Sequence, residues 1–82
     1  MNGQVGPDGY VRSAAEERRL NKSFAALFED KLGEEVISYL RQITIEAVSG
    51  PDIAPEHLRH LEGMRYLTFI IQKRISLGKQ DG

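Results

Sequence analysis

Apolar residues recur at helical spacing in three successive segments of this 82-residue chain, and the chain breaks between the segments. The clearest break is Ser49-Gly50-Pro51-Asp52, because glycine can close a helix in the left-handed conformation and proline prevents its continuation. Asp30 has the chemistry of a helix cap and marks the earlier boundary. These breaks predict an all-α fold, a small three-helix domain in which a short N-terminal helix precedes a helical hairpin.

Capping residues define the expected helix ends. Ser13 and Glu16 have the spacing of a capping box, in which each side chain satisfies the other residue's backbone N–H. The third helix should open near Pro55, because proline is favoured in a first helical turn, and it should end at Gly78. The predicted helices cover residues 13–28, 31–48 and 54–77.

Residues 1–12 are predicted to form an extended N-terminal arm, residues 13–78 the helical domain and residues 79–82 a C-terminal tail. The arm is rich in glycine and contains Gly6-Pro7-Asp8-Gly9, a turn sequence. Two interpretations of the arm remain open. It is either a disordered tail or a segment that orders against a neighbouring subunit, with Tyr10 and Val11 as anchors.

The second helix carries an apolar stripe that is expected to face the core. Gly33 lies beside this stripe, where glycine lowers helix stability by about 1 kcal/mol relative to alanine. Close approach of another helix is the expected reason for that glycine. The stripe consists of Leu32, Val36, Leu40, Ile43 and Ala47, with Ile37 and Tyr39 on its flanks.

The third helix has more apolar surface than two short helices can cover. Its main stripe should pack on the other helices, with Arg65, Lys73 and Arg74 in a polar rim. The stripe consists of Leu61, Met64, Leu67, Ile71 and Ile75. The remaining apolar residues, together with the arm anchors, form a predicted partner interface: Tyr10, Val11, Leu58, Tyr66, Phe69, Ile70 and Leu77. The alternative is that Tyr66 and Phe69 only cover the edges of the core.

Charge and residue content exclude several classes of protein. The chain has 11 Lys and Arg against 12 Asp and Glu, and so lacks the basic excess that proteins use to grip nucleic acid. Cysteine is absent, which excludes disulfides and thiolate metal sites. No apolar stretch approaches the roughly 20 residues of a membrane span, and the N-terminus lacks a secretion-signal pattern. We therefore expect a soluble protein made in the cytoplasm, without a membrane partner.

Catalytic chemistry is not indicated. His57 and His60 are close in sequence, but no patterned acidic residues complete a metal site with them. No nucleophile motif frames any serine, and no glycine-rich loop has the pattern that cradles phosphate. The basic cluster Arg18-Arg19 with Lys22 adjoins two glutamates and is expected to be a solvated face. We predict no catalytic, cofactor-binding or metal-binding residues, no cofactor, no small-molecule substrate and no enzymatic activity.

Two motifs resemble a group of small helical proteins encoded in the structural-gene clusters of short-tailed phages. The first is Phe24-Ala-Ala-Leu27-Phe28, followed by Gly33, Val36-Ile37 and Leu40. The second is Glu62-Gly63-Met64-Arg65, followed by the apolar helix 66–75. The group often has a small hydroxyl residue in place of Asp30 and a second arginine in place of Met64. The resemblance implies a non-enzymatic helical protein of the phage particle, near the portal, the internal core or the head–tail region.

Together these observations predict a minor structural or assembly protein of a tailed phage virion, made in the host cytoplasm. Its expected partners are further copies of itself and larger phage structural proteins, and contact with nucleic acid is not expected to be its primary role. The alternative is a small regulatory or nucleic-acid-binding helical module. The connection at residues 49–54 is longer than the tight turn of a helix-turn-helix, which favours the first hypothesis.

Overall fold

Three α-helices make up most of the fold, and a short β-hairpin precedes them. The computed structural model describes residues 3–47 and 50–81. The elements are β1 (Gly3–Val5), β2 (Val11–Ser13), α1 (Ala14–Leu27), α2 (Lys31–Ile43) and α3 (Pro55–Asp81). The hairpin contacts α1, α1 packs chiefly against α3, and α2 touches α3 over a much smaller area.

The hairpin corrects the prediction of an all-α fold with an extended arm. Strands β1 and β2 are antiparallel, with Gln4 opposite Arg12. The turn between them closes through the Gly6 N–H, which donates to the Tyr10 carbonyl at 2.8 Å. Gly9 has a φ of 86°, which glycine adopts without strain. The residues that prevent a helix here therefore form a hairpin turn, and the two short flanking segments pair across it.

Both predicted N-caps are confirmed. The Ser13 hydroxyl accepts a hydrogen bond from the Glu16 N–H at 3.2 Å, and the Glu16 carboxylate accepts one from the Ser13 N–H at 3.3 Å. The Asp30 carboxylate accepts a hydrogen bond from the Gly33 N–H at 2.8 Å. Each cap satisfies N–H groups that the first turn of a helix leaves unpaired.

Two helix ends differ from the predicted ones. Helix α2 ends at Ile43 and not at residue 48, which lies outside the described residues. Helix α3 continues through Gly78 to Asp81, because this glycine packs against α1 and does not terminate the helix. A Cβ added to Gly78 would overlap the Asn21 carbonyl oxygen and lie 2.7 Å from the Ala25 Cβ.

Gly33 also permits a close approach, as the sequence predicted. A Cβ at this position would lie 2.5 Å from the Phe28 Cα and 2.8 Å from the Leu27 carbonyl oxygen. Phe28 is the C-cap of α1. The neighbour is therefore the end of the preceding helix, and Gly33 makes the short α1–α2 connection sterically feasible.

The interior of the fold is mainly polar. Among the described residues, Ile75 is the only hydrophobic residue that is buried, and it is 9% exposed. The buried polar residues are Glu17, Asn21, Thr44, Thr68 and Arg74. The accessible surface is 5950 Å², against about 4,900 Å² for a compact monomer of this mass. The radius of gyration is 14.9 Å, against about 11.7 Å for a compact domain of this length. The chain is thus an open molecule with little hydrophobic core.

Candidate interaction surface

The predicted interface residues fall into two groups in the structure. Those on the hairpin and the middle of α3 are exposed: Tyr10, Val11, Tyr66 and Phe69. Leu58, Ile70 and Leu77 are half-buried. The Tyr66 hydroxyl donates a hydrogen bond to the Pro7 carbonyl at 3.1 Å, which brings the hairpin and α3 together. We call Leu58, Tyr66, Phe69 and Ile70 the α3 patch.

A larger apolar surface lies on α2, where the sequence predicted a core-facing stripe. Leu32, Val36, Tyr39 and Ile43 are 71%, 50%, 58% and 42% exposed. At 100° per residue all four fall within about 60° of the helix circumference. We call these four residues the α2 stripe. The prediction that Leu32, Val36 and Ile43 face the core is therefore wrong, whereas Leu40 is half-buried as a core-facing residue would be.

Polar contacts at the C-terminal end of α2 account for its orientation. The Thr44 hydroxyl donates to the Thr68 hydroxyl at 3.0 Å in a buried position. The Arg65 guanidinium donates to the Thr44 carbonyl at 2.9 Å and to the Ala47 carbonyl at 2.8 Å. A cation is favoured there because the end of a helix presents unpaired carbonyls and a negative partial charge. These bonds fix the side of α2 that carries Leu40 and Thr44 against α3 and leave the α2 stripe facing solvent.

The same contacts rotate α3 relative to the predicted packing. Leu67, which the sequence placed in the core stripe, is 58% exposed, and its neighbour Thr68 is buried. Thr68 takes the inward position because its hydroxyl bonds both Thr44 and the Met64 carbonyl. Ile71 stays half-buried and Ile75 buried, as predicted.

A cluster of charged residues joins the hairpin, α1 and α3. The Arg74 guanidinium donates to the Glu17 carboxylate at 3.0 Å and to the Asn21 side-chain oxygen at 2.8 Å. Arg12 of the hairpin donates to Glu17 at 3.0 Å and to Asp8 at 2.9 Å. We call these five residues the Arg74 cluster. Arg74 is 2% exposed, which corrects its predicted place in a polar rim.

The pairing in the Arg74 cluster shifts the pKa values of its carboxylates. The Arg12 guanidinium, aided by the Tyr10 N–H, lowers the pKa of Asp8 to about 2. The hydrogen bond from Arg74 is the main cause of the lowered pKa of Glu17, and Arg12 adds to it. Asp8 and Glu17 in turn raise the pKa of Arg12. The cluster is therefore held together by ionised groups at neutral pH.

Acid should release the hairpin. Because the folded-state pKa values of Asp8 and Glu17 lie below their unfolded values of about 4, the cluster stabilises the fold above pH 4. That stabilisation should be lost as the pH falls from about 4 to about 2. Urea unfolding at a series of pH values measures the loss. The Asp8→Asn variant should be less stable than the wild type at pH 7 and should converge with it near pH 2.

The matched control for the acid experiment is Asp52→Asn, which changes an exposed aspartate in the turn before α3. It should keep the wild-type acid dependence. If the free energy of unfolding depends on pH in the same way for Asp8→Asn and Asp52→Asn between pH 4 and pH 2, the Arg12–Asp8 contact contributes nothing to stability.

The two histidines lie apart from these surfaces. His57 and His60 are both exposed in the first turns of α3. Within residues 3–47 and 50–81, no group of three or more His, Cys, Asp or Glu side chains could hold a metal ion. The predicted lack of enzymatic activity stays a prediction.

Over the described parts of the chain, none of the three helices combines the length and the apolar character that crossing a bilayer requires.

The chain is a small helical protein with a hydrogen-bonded interior, and exposed apolar patches such as the α2 stripe mark surfaces that contact other molecules. The family model of the Bbp19-like phage proteins matches residues 24–80, and the chain therefore belongs to this phage protein family. The match confirms the resemblance to phage proteins and includes the α2 stripe, the α3 patch and Arg74. The hairpin and the first two-thirds of α1 lie outside it. No curated protein and no solved structure is significantly similar to the chain.

Proposed function

We propose that the chain is a non-enzymatic minor structural protein of a tailed phage virion, as its resemblance to proteins of short-tailed phages implies. It docks on further copies of itself and on larger particle proteins of the portal, internal core or head–tail region. Membership of a phage protein family supports the phage context. The docking role rests on the distribution of apolar surface described next.

The observation that carries the proposal is that the apolar side chains lie outside the fold. Twelve large hydrophobic residues are exposed among the described residues, whereas Ile75 alone is buried. Exposed apolar surface weakens the solubility of a free monomer and becomes stabilising when a partner covers it, at about 25 cal/mol for each Å² removed from water. The chain therefore has the surface of an assembly subunit.

Two separate apolar surfaces suit a protein that links partners. The α2 stripe runs along one helix, and the α3 patch lies on another, with Tyr66 and Phe69 each at least half exposed. A subunit with one such surface can only cap its partner, but a subunit with two can bridge a copy of itself and a larger protein. In this proposal the α3 patch contacts the larger particle protein.

Purified particles provide the test of this function. Mass spectrometry of virions, washed in high salt and treated with nuclease, should find the chain in a fixed copy number relative to the portal protein. Phage carrying Phe69→Glu should lose most of the chain from the particle, because the substitution places a charge in the α3 patch.

The matched control is Ala26→Glu, a charge on an exposed position of α1 outside both apolar surfaces, which should be incorporated normally. A chain found only in the lysate and never in washed particles would refute the proposal. Steeply salt-dependent binding to DNA in a gel-shift assay, combined with that absence, would favour a nucleic-acid-binding module instead.

A further inference from the structure

We propose that the α2 stripe pairs with the same stripe of a second copy of the chain, with the two α2 helices antiparallel about a two-fold axis. This inference rests on the proposed role of the chain as an assembly subunit and names the surface through which copies meet. It leaves the α3 patch free for a different protein. Three features of α2 support it: the spacing of the stripe, its area and the charges beside it.

The spacing of the stripe is self-complementary. Leu32, Val36, Tyr39 and Ile43 are separated by four, three and four residues, which is the seam spacing of two helices packed side by side. The series of spacings is symmetric, so it is the same from either end of the helix. When the second helix is reversed about an axis between residues 37 and 38, Leu32 of one copy lies opposite Ile43 of the other. Val36 of each copy then lies opposite Tyr39 of the other, so that a valine packs against an aromatic ring on both sides of the axis.

The exposed area of the stripe reaches the lower limit for a specific pair. Leu27 is 69% exposed and lines one shallow groove with Leu32 and Val36, so it extends the stripe at its N-terminal end. Weighted by their exposed fractions, Leu27 and the stripe present roughly 500 Å² per copy. If the pair covered all of this surface, the two copies would bury at most about 1,000 Å², which is the lower limit for a specific protein interface.

The charges on α2 favour the antiparallel direction. Lys31, Glu34 and Glu35 give the N-terminal part of the helix a net negative charge, Arg41 lies near its C-terminal end, and no charged residue interrupts the stripe. A parallel pair would bring the two net negative ends together and align the two helix dipoles unfavourably. The antiparallel pair separates the carboxylates to opposite ends, opposes the dipoles, and places Glu35 of one copy beside Gln42 of the other, where a hydrogen bond can form.

Light scattering on the purified chain gives the first test. At tens of micromolar the wild type should have twice the 9.2 kDa mass of the monomer. Val36→Glu should be monomeric with the circular dichroism of a folded chain, whereas Ser38→Glu, an exposed change on the polar side of the same helix, should stay paired. A monomeric wild type, or a Val36→Glu variant that still pairs, would overturn the inference.

Cysteine cross-linking tests whether the two α2 helices are antiparallel or parallel. The sequence contains no cysteine, so every cross-link must form between introduced cysteines. A chain carrying both Leu32→Cys and Ile43→Cys should form a covalent dimer under mild oxidation, because the two positions meet across the axis. Leu32→Cys alone should not, since its two copies would lie about 16 Å apart along the pair, beyond the reach of a disulfide. Efficient dimerisation of Leu32→Cys alone would show a parallel pair and overturn the proposed arrangement.

The outcomes separate this inference from the proposed function. A chain that is monomeric when pure but present in washed particles would overturn the pairing and leave the structural role in place. A chain that pairs through α2 but is absent from particles would support the pairing and refute the structural role.

Discussion

Replacing Arg74 with methionine should lower the free energy of unfolding by about 3 kcal/mol, because it breaks a buried ion pair and leaves Arg12 as the one cation bonded to Glu17 in the Arg74 cluster. Arg74 is 2% exposed and is hydrogen-bonded to Glu17 and Asn21, both of which are buried. In a domain of this size the loss corresponds to a Tm lower by roughly 12–24 °C. Thermal unfolding followed by circular dichroism at a fixed protein concentration measures it.

Two further variants make the Arg74 experiment specific. Lys73→Met removes the neighbouring, exposed cation and should change stability by less than about 0.5 kcal/mol. Adding Glu17→Gln to Arg74→Met should cost less than the sum of the two single substitutions, because the two side chains are directly hydrogen-bonded. If Arg74→Met and Lys73→Met melt at the same temperature, the Arg74 cluster does not hold the hairpin and helices together.

Two glycines of α3 should respond to alanine in opposite directions. In Gly78→Ala the new Cβ would overlap the Asn21 carbonyl oxygen, which is backbone and cannot move without shifting α1. Separating α1 from α3 should lower the free energy of unfolding by about 1–3 kcal/mol, as overpacking does. In Gly63→Ala the new Cβ would meet no described atom within 4 Å beyond its chain neighbours and the backbone of its own helix, and the higher helix propensity should raise stability by up to about 1 kcal/mol.

Urea unfolding of the two variants side by side measures this difference, and each serves as the control for the other. Both substitutions add one methyl group to the same helix, so their effects on helix propensity cancel in the comparison. Equal stability of the two variants would mean that α1 and α3 do not approach closely at Gly78.

The presence of the helices and the residues at which they begin could be predicted from the sequence, because both depend on residues close together in the chain. The Ser13–Glu16 pair and the Asp30 cap act within a single turn, and the structure confirms both. The hairpin was missed because its strands have only three residues each, and such short segments lack a measurable alternation of apolar and polar side chains.

The orientation of the helices could not be predicted from the sequence because it depends on contacts between distant residues. Thr44 and Thr68 are 24 residues apart, and their buried hydrogen bond turns α2 so that Leu32 and Val36 face solvent. Hydrophobic periodicity identifies an apolar stripe but does not reveal whether the chain itself or a partner covers it. The burial of Arg74 likewise depends on distant residues, Glu17 and Asn21, although its position between Ile71 and Gly78 on the inner side of α3 is a signal that the sequence carries.

The polar interior has a thermodynamic consequence. The heat capacity change of unfolding arises mainly from apolar surface that becomes hydrated, at about 0.45 cal/mol/K for each Å². Because the accessible surface of the chain is 5950 Å², against about 4,900 Å² for a compact monomer of this mass, unfolding of an isolated copy exposes less additional apolar surface than unfolding of a compact domain does. The stability of that copy should therefore vary less steeply with temperature than that of a compact domain of the same length. The remaining part of the heat capacity change should appear when the copies associate.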